Sequence, residues 1–362
     1  MLSLLRKYFN KIYFIHSNYF SKGPVCVDIE LSNKCNLKCK MCWFHGESGI
    51  GDRYLNSEMT TAEILGLIDQ LIVYRPHIYF GGGEPFIRED FLEIIAYVKK
   101  SNLQTSFTTN GILLDKQKIQ KIVQLGVDHI TFSIDGPEEL HDKMRGQGNY
   151  GKVMSNIQHF LNCKQGGNIK KPLITVNITI SPSIVGHLKK TINSIKKMTG
   201  DKVDYFTIHH LWFITPAELQ LHKATVNKNI DRTAPGSGSH CIPLSQCIDS
   251  NALSDEIFQL RSEKKIKFFP NLKGKAINEF YSDGYRLKKR CVASSLAVLV
   301  KPNGDLKLCP DEWIDDYILG NIREDSFENI WNSKSAKHFR SVILREKQFP
   351  ACKRCSWMHN TF

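Results

Sequence analysis

The sequence predicts a parallel α/β architecture: an open or incomplete barrel of six β-α units, followed by a small cysteine-bearing unit. Three observations carry this. Short β-rich runs alternate with segments of helical periodicity from residue 25 to about 215, and strands that alternate with helices form parallel sheets. Polar or glycine residues gather at the C-terminal ends of the runs, the edge at which parallel α/β sheets bind ligands. After residue 286 the pattern changes to a hairpin, a polar loop and a helix that together carry four cysteines.

The strand runs are "VCVDIELS", "HIYFGGG", "LQTSFTTN", "VDHITFSID", "LITVNITIS" and "VDYFTIHHLWF". Helical periodicity occupies 60–73, 88–101, 115–124, 149–162 and 184–198 between them. Residues 216–285 are less regular. They include the Gly/Ser/Pro loop "TAPGSGSHCIPLSQC" and a helical stretch over about 251–263, and read as a connector that covers the site. In the last unit Asn303-Gly304 marks a hairpin turn, and "SFENIWNSKSAKHFRSVIL" reads as one helix. The chain thus divides into a basic amphipathic segment (1–24), the barrel (25–215), the connector (216–285) and the C-terminal unit (286–362).

Composition narrows the function classes. At 41% apolar and 23% charged residues over 362 positions the chain is globular, without repeats or low-complexity tracts. No apolar run reaches the roughly 18 residues of a membrane span. The net charge of +13 is spread over short runs such as "LKKT" and "RLKKR" without interleaved aromatics, so a nucleic-acid surface is not indicated. Residues 1–22 are basic and aromatic with no cleavable h-region. They read as a helix packed on the body, or as a contact for an acidic partner or a membrane surface. Eleven cysteines are too few for a disulfide scaffold, and they cluster at short spacings. That distribution favours metal ligation in a reducing compartment, here the cytoplasm.

The first cluster is "SNKCNLKCKMCWF", residues 32–44, with Cys35, Cys39 and Cys42 in one loop after the first strand. Buried unligated thiols, a zinc site completed by His45, and a cubane iron–sulfur cluster compete for this loop. A cubane held by three thiolates keeps one iron open. CxxxCxxC after the first strand resembles the radical S-adenosylmethionine (SAM) superfamily, and other motifs extend the resemblance. "GGGEP" at 81–85 resembles the family's GGE motif, which implies that Gly82, Gly83 and Glu84 hold the SAM amino group. "SIDGPEELHDKMRG" at 133–146 resembles the fourth-strand region of the SPASM/twitch subgroup. It implies SAM contacts for Ser133 and Arg145, with Asp135 holding the geometry. Asn110 and Asn177, at or near strand ends, are candidates for ribose. The family places an aromatic beside adenine just before the last motif cysteine; here that position is Met41, and Trp43 follows the cysteine.

Cys291, Cys309, Cys352 and Cys355 form the second set. "GDLKLC", "LGNIREDSFENIW" and "CKRC" resemble the shortened SPASM-type extension. The resemblance implies one auxiliary 4Fe–4S cluster closed by four thiolates; a zinc ribbon is the alternative. In full, it implies a partial (β/α)6 TIM-like barrel with a small C-terminal SPASM/twitch-type iron–sulfur domain. Its cofactors are a SAM-binding 4Fe–4S cluster on three cysteines, the auxiliary cluster, and SAM, with an electron donor such as flavodoxin or ferredoxin. Cys26 reads as strand core and Cys163 as helix packing. Cys241 and Cys247 in the connector are candidate hydrogen-atom donors to a substrate radical. Alternation allows one of His209 and His210 to face inward, with His210 the candidate general base.

The expected activity is reductive SAM cleavage, then hydrogen abstraction from a substrate, ending in oxidation or epimerisation. Only 34 residues precede Cys35, so a fused leader-binding domain is not expected. That turns the substrate expectation toward a sugar, aminocyclitol or nucleotide-linked sugar. A ribosomal peptide or protein, cross-linked, epimerised or oxidised, is the alternative. An iron–sulfur carrier or redox sensor without SAM chemistry would form no 5′-deoxyadenosine.

Overall fold

A computed structural model describes residues 23–46, 57–244 and 248–360. The basic segment 1–22 and Cys247 lie outside the described residues. The six predicted strands are β1 (Cys26–Glu30), β2 (His77–Gly81), β3 (Gln104–Thr109), β4 (His129–Ser133), β5 (Leu173–Thr179) and β6 (Tyr205–His209). Each pairs parallel with the next. Helices α1 (Thr61–Leu71), α2 (Phe91–Lys100), α3 (Lys116–Leu125), α4 (Glu138–Arg145), α5 (Asn149–Gly166) and α6 (Leu188–Thr199) connect them.

Local signals explain the boundaries. A capping box between Thr60 and Glu63 starts α1, and Gly126 in the left-handed region stops α3. Along each strand alternate residues point to opposite faces. Val27, Ile29, Ile78, Phe80, Phe107 and Phe132 are fully buried in the apolar core. The intervening positions are polar, and hydrogen bonds cross between neighbouring strands there: Tyr79 Oη donates to Thr108 Oγ1 at 2.9 Å and Thr207 Oγ1 to Asn177 Oδ1 at 2.8 Å.

The sheet is wider than six strands. Residues 216–285 hold the helices α7 (Pro216–Ile230) and α8 (Ser250–Leu260), a short third helix over Lys275–Phe280, and a seventh parallel strand, β7 (Ile266–Phe269), beside β6. The Thr215–Glu218 capping box with Pro216 at the first turn was the unread signal for α7. At the other edge β8 (Ala297–Val300) pairs parallel with β1. It turns at Asn303-Gly304, with Gly304 at φ +90°, into antiparallel β9 (Asp305–Lys307), which pairs with β10 (Gly320–Asn321). The C-terminal unit therefore continues the open, barrel-like sheet instead of standing apart from it.

Two smaller expectations change. The single C-terminal helix is two, α9 (Phe327–Trp331) and α10 (Lys334–Glu346). Ser333 breaks the run by capping α10 through Ala336 N–H at 3.1 Å. Cys309 closes "GDLKLC", which reads as the hairpin's second strand, but it lies two residues beyond β9. Among the described residues no helix is long and apolar enough to cross a membrane.

Candidate active site

A cavity of about 380 Å³ opens at the C-terminal edge of the parallel strands. The three-cysteine loop forms one wall. Backbone hydrogen bonds strap this loop to the segment after β2: Gly83 N–H donates to Ser32 O at 2.9 Å, and Glu84 N–H to Lys34 O at 3.0 Å. The approach is too close for side chains. A Cβ on Gly83 would lie 2.0 Å from Lys34 O, and one on Gly82, at φ +92°, 2.7 Å from Ser32 O. That is why this turn is written in glycine.

Donors surround the three thiols. Leu37 N–H points at Cys35 Sγ (3.5 Å) and His45 N–H at Cys42 Sγ (3.4 Å). Arg145 Nη1 points at Cys39 Sγ (3.7 Å) and Asn110 Nδ2 at Cys35 Sγ (3.9 Å). Burial pushes the Cys35 thiol up to about 11, so a thiolate here needs compensating positive charge as well as these N–H groups. Three sulfurs facing N–H donors beside an open cavity fit a cluster ligated by thiolates. His45 Nε2 is engaged by Asn33 O at 2.6 Å, which fixes the orientation of its ring beside the loop.

Glu84 is 2% exposed and lines the same cavity as the thiols. Its carboxylate accepts from Thr109 Oγ1 (2.7 Å), Asn110 N–H (2.8 Å) and Phe86 N–H (3.3 Å). Burial outweighs these donors and raises its pKa to about 7. Arg145, at the end of α4, donates through Nε to Asp135 Oδ2 at 2.5 Å, and Asp135 Oδ1 accepts Thr179 N–H at 2.9 Å. This pins the guanidinium between the carboxylate and Cys39. Met41, Ser133 and Asn177 also line the cavity, with Ser133 and Asn177 facing each other across β4 and β5. His141 and Asp142 of the same motif serve the backbone: Asp142 accepts Gly148 N–H and Tyr150 N–H at 2.6 and 2.8 Å, and starts α5.

The Glu84 geometry carries a pH prediction. Its folded pKa lies above the unfolded value of 4.5, so the folded chain keeps a proton the unfolded chain has released. The associated stability is present below pH 4.5 and is lost as pH rises through about 7, by roughly 3 kcal/mol. In SAM-free protein, Glu84→Gln is expected to flatten the pH dependence of the urea midpoint by this amount. Equal slopes in parent and variant would contradict the assignment.

The remaining candidates separate. His209 and His210 both reach the cavity lining, but the His210 ring packs against Phe280 and Tyr281, which do not line it. His210 Nδ1 pairs with Tyr281 Oη at 2.9 Å, and burial lowers its pKa to about 3. It is neutral near pH 7, the form a general base needs, and burial makes it a weak proton acceptor. Cys241 is not part of the cavity wall, although His240 and Ile242 on either side of it are. Its backbone bridges to Ile214, and its half-buried side chain packs against the apolar core.

The second cysteine set is brought together. Cys309, Cys352 and Cys355 each feel the charge of Cys291, and burial pushes the Cys309 thiol up to about 12. Cys355 Sγ donates to buried Asp311 Oδ2 at 2.8 Å. Sequence reasoning missed Asp311, and it missed an aromatic bridge between the two cysteine sets. Trp43, next to Cys42, lies 5.2 Å from the His240 ring, which lies 4.8 Å from Trp313, four residues beyond Cys309. The only signal was a tryptophan close after a cysteine in each set.

Comparison with known proteins agrees with this geometry. The radical SAM superfamily profile matches residues 29–195, and an iron–sulfur cluster-binding SPASM domain profile matches residues 291–356. Fe-coproporphyrin III synthase of Methanosarcina barkeri is 26% identical over 95% of this chain and 84% of its own length. Mycofactocin maturase MftC of Mycobacterium tuberculosis is 25% identical over 93% and 77%. Streptococcus suis SuiB bound to S-adenosylmethionine superposes with a TM-score of 0.61 at 16% identity, over 90% of this chain and 69% of that one. The protein therefore belongs to the radical SAM superfamily, with a C-terminal SPASM iron–sulfur domain, and uses SAM and iron–sulfur clusters as cofactors.

Proposed function

We propose that this protein is a peptide maturase, abstracting a hydrogen atom from one residue of a peptide. Cys35, Cys39 and Cys42 would hold the SAM-binding 4Fe–4S cluster, and Cys291, Cys309, Cys352 and Cys355 the auxiliary one. When bound, the reduced cluster supplies the electron that splits SAM into methionine and a 5′-deoxyadenosyl radical. Glu84 and the Gly82-Gly83 backbone would take the amino group of SAM, and Arg145 and Ser133 its carboxylate. Asp135 positions Arg145. Asn110 and Asn177 would bind ribose, and Met41 would pack on adenine.

The observation that carries the substrate class is the aromatic and apolar part of the cavity lining. Trp43, His209, Leu211, Trp212, His240 and Ile242 form it, and burial lowers the pKa of both His209 and His240 to about 4. This part is uncharged at neutral pH. Among the described lining residues Arg145 is the one Lys or Arg, and Asp135 already occupies it. A phosphorylated sugar or a multiply carboxylated tetrapyrrole would enter with anions unpaired, a costly burial. A peptide side chain would not. The small-molecule sugar expectation loses its support here, and likeness to mycofactocin maturase MftC points the same way.

The test is anaerobic and has three arms. Reduced protein and SAM are mixed with a synthetic peptide series differing at one side chain, with coproporphyrin, or with a nucleotide sugar. Peptide is expected to accelerate 5′-deoxyadenosine release and to change in mass. Stimulation by the sugar or the porphyrin alone would refute the peptide reading.

A further inference from the structure

On the C-terminal unit lies a groove of about 790 Å³ that shares no lining residue with the cavity. Arg286, Lys288, Lys289, Arg290, Lys347 and Lys353 line it, and no carboxylate does. Lys289 donates to His359 O at 3.0 Å and Lys353 pairs with Glu218 at 2.6 Å. Arg286, Lys288, Arg290 and Lys347 are exposed and have no acidic partner among the described residues. Residues 1–22, outside the described structure, contain no Asp or Glu that could neutralise the groove. Four uncompensated cations around one concavity repel one another, and an anionic surface seated there would relieve that.

The position of the groove identifies its occupant. Arg290 is bonded to Cys291, and Cys291 N–H donates to Lys347 O at 2.8 Å. Lys353 sits between Cys352 and Cys355. The walls of the groove are thus the chain segments that carry three of the four auxiliary thiols. From that set the Trp313–His240–Trp43 bridge leads back to Cys42. We infer that the groove docks an acidic one-electron carrier protein of the flavodoxin or ferredoxin class, placing its redox group beside the four-cysteine site. One electron leaves the carrier and one is accepted at that site; no atom changes hands. The inference rests on the cofactors of the family and not on the peptide reading.

The experiment titrates the cluster-loaded protein with an acidic flavodoxin, without SAM or substrate. Calorimetry reads affinity at low and high salt, and stopped-flow absorbance reads reduction by the carrier and by dithionite. Two charge reversals are compared with the parent: Lys288→Glu with Arg290→Glu, and Arg286→Glu with Lys347→Glu. Each pair is expected to weaken binding about tenfold or more and to blunt its salt dependence, because like charges across an interface are strongly penalised. Carrier-driven reduction falls by the same factor, whereas dithionite-driven reduction, iron content and circular dichroism stay at parental levels. Lys288→Gln with Arg290→Gln should lie between. Unchanged affinity in both reversals overturns the inference. So does loss of iron in the variants, which would make these side chains supports of the site. Parent that captures a poly-glutamate peptide but not flavodoxin would also overturn it, leaving an acidic peptide as the occupant.

Discussion

Cys35→Ala is expected to abolish 5′-deoxyadenosine formation and to lower iron from about eight to about four atoms per chain. The loss should be complete, because the loop contains no spare thiol. Between Cys26 and Cys163 the sequence has no cysteine besides Cys39 and Cys42 to replace the missing thiolate. The variant should remain folded. Cys35 is only part-buried in a loop, and the loop stays strapped to Gly83 and Glu84 by backbone hydrogen bonds that do not involve its side chain. Retention of the auxiliary absorbance band, with a melting point near that of the parent, would show this. If Cys35→Ala still cleaves SAM under dithionite, these three thiols are not the ligands of the reactive cluster.

What the sequence revealed follows the range of the interactions involved. The CxxxCxxC loop, the GGGE turn and the 133–146 motif are local: each is made by consecutive residues whose spacing fixes the geometry. The six strands and their helices were readable for the same reason, since alternation and capping lie within single elements. The partnership of β8 with β1 was not. It joins residues some 270 positions apart, and no periodicity in "AVLV" says which strand it will meet. Strand β7 was missed because four residues, "IKFF", carry little pattern. For His210 and Cys241 the sequence offers less guidance. Both lie where a strand gives way to irregular chain, so neither alternation nor loop position fixes which way a side chain turns. The groove cations were visible as "RLKKR", one of several scattered basic runs. Only folding brings Lys347 and Lys353 to the same concavity.

The seam between barrel and C-terminal unit rests on a buried charge network, and Lys301→Met is expected to cost about 3–5 kcal/mol at pH 7–8. Lys301, just past β8 and 1% exposed, contacts Glu30 at the end of β1 and Glu312, whose other oxygen accepts from Lys307 at 2.8 Å. Its Nζ also lies 5.1 Å from the Phe44 ring, two residues from Cys42. One ammonium therefore links the first cysteine loop, β1 and the Cys309–Glu312 segment. Methionine fills the volume and removes the charge. Glu30 then faces Glu312 without its main compensating cation. With Lys301 present, burial already holds Glu30 near pH 7, and without it the group will ionise only at higher pH. A raised carboxyl pKa makes stability fall with rising pH, so the defect in Lys301→Met should be largest at pH 8 and shrink below pH 6. Adding Glu30→Gln should recover part of the loss, since the pair, not the lysine alone, sets the penalty. Denaturant midpoints of parent, single and double variants across that pH range decide the matter. A pH-independent defect that Glu30→Gln does not relieve would place the cost in packing. The same titration bears on function, because a loosened seam would also part Trp43 from His240 and Trp313 and lengthen the aromatic bridge between the two cysteine sets.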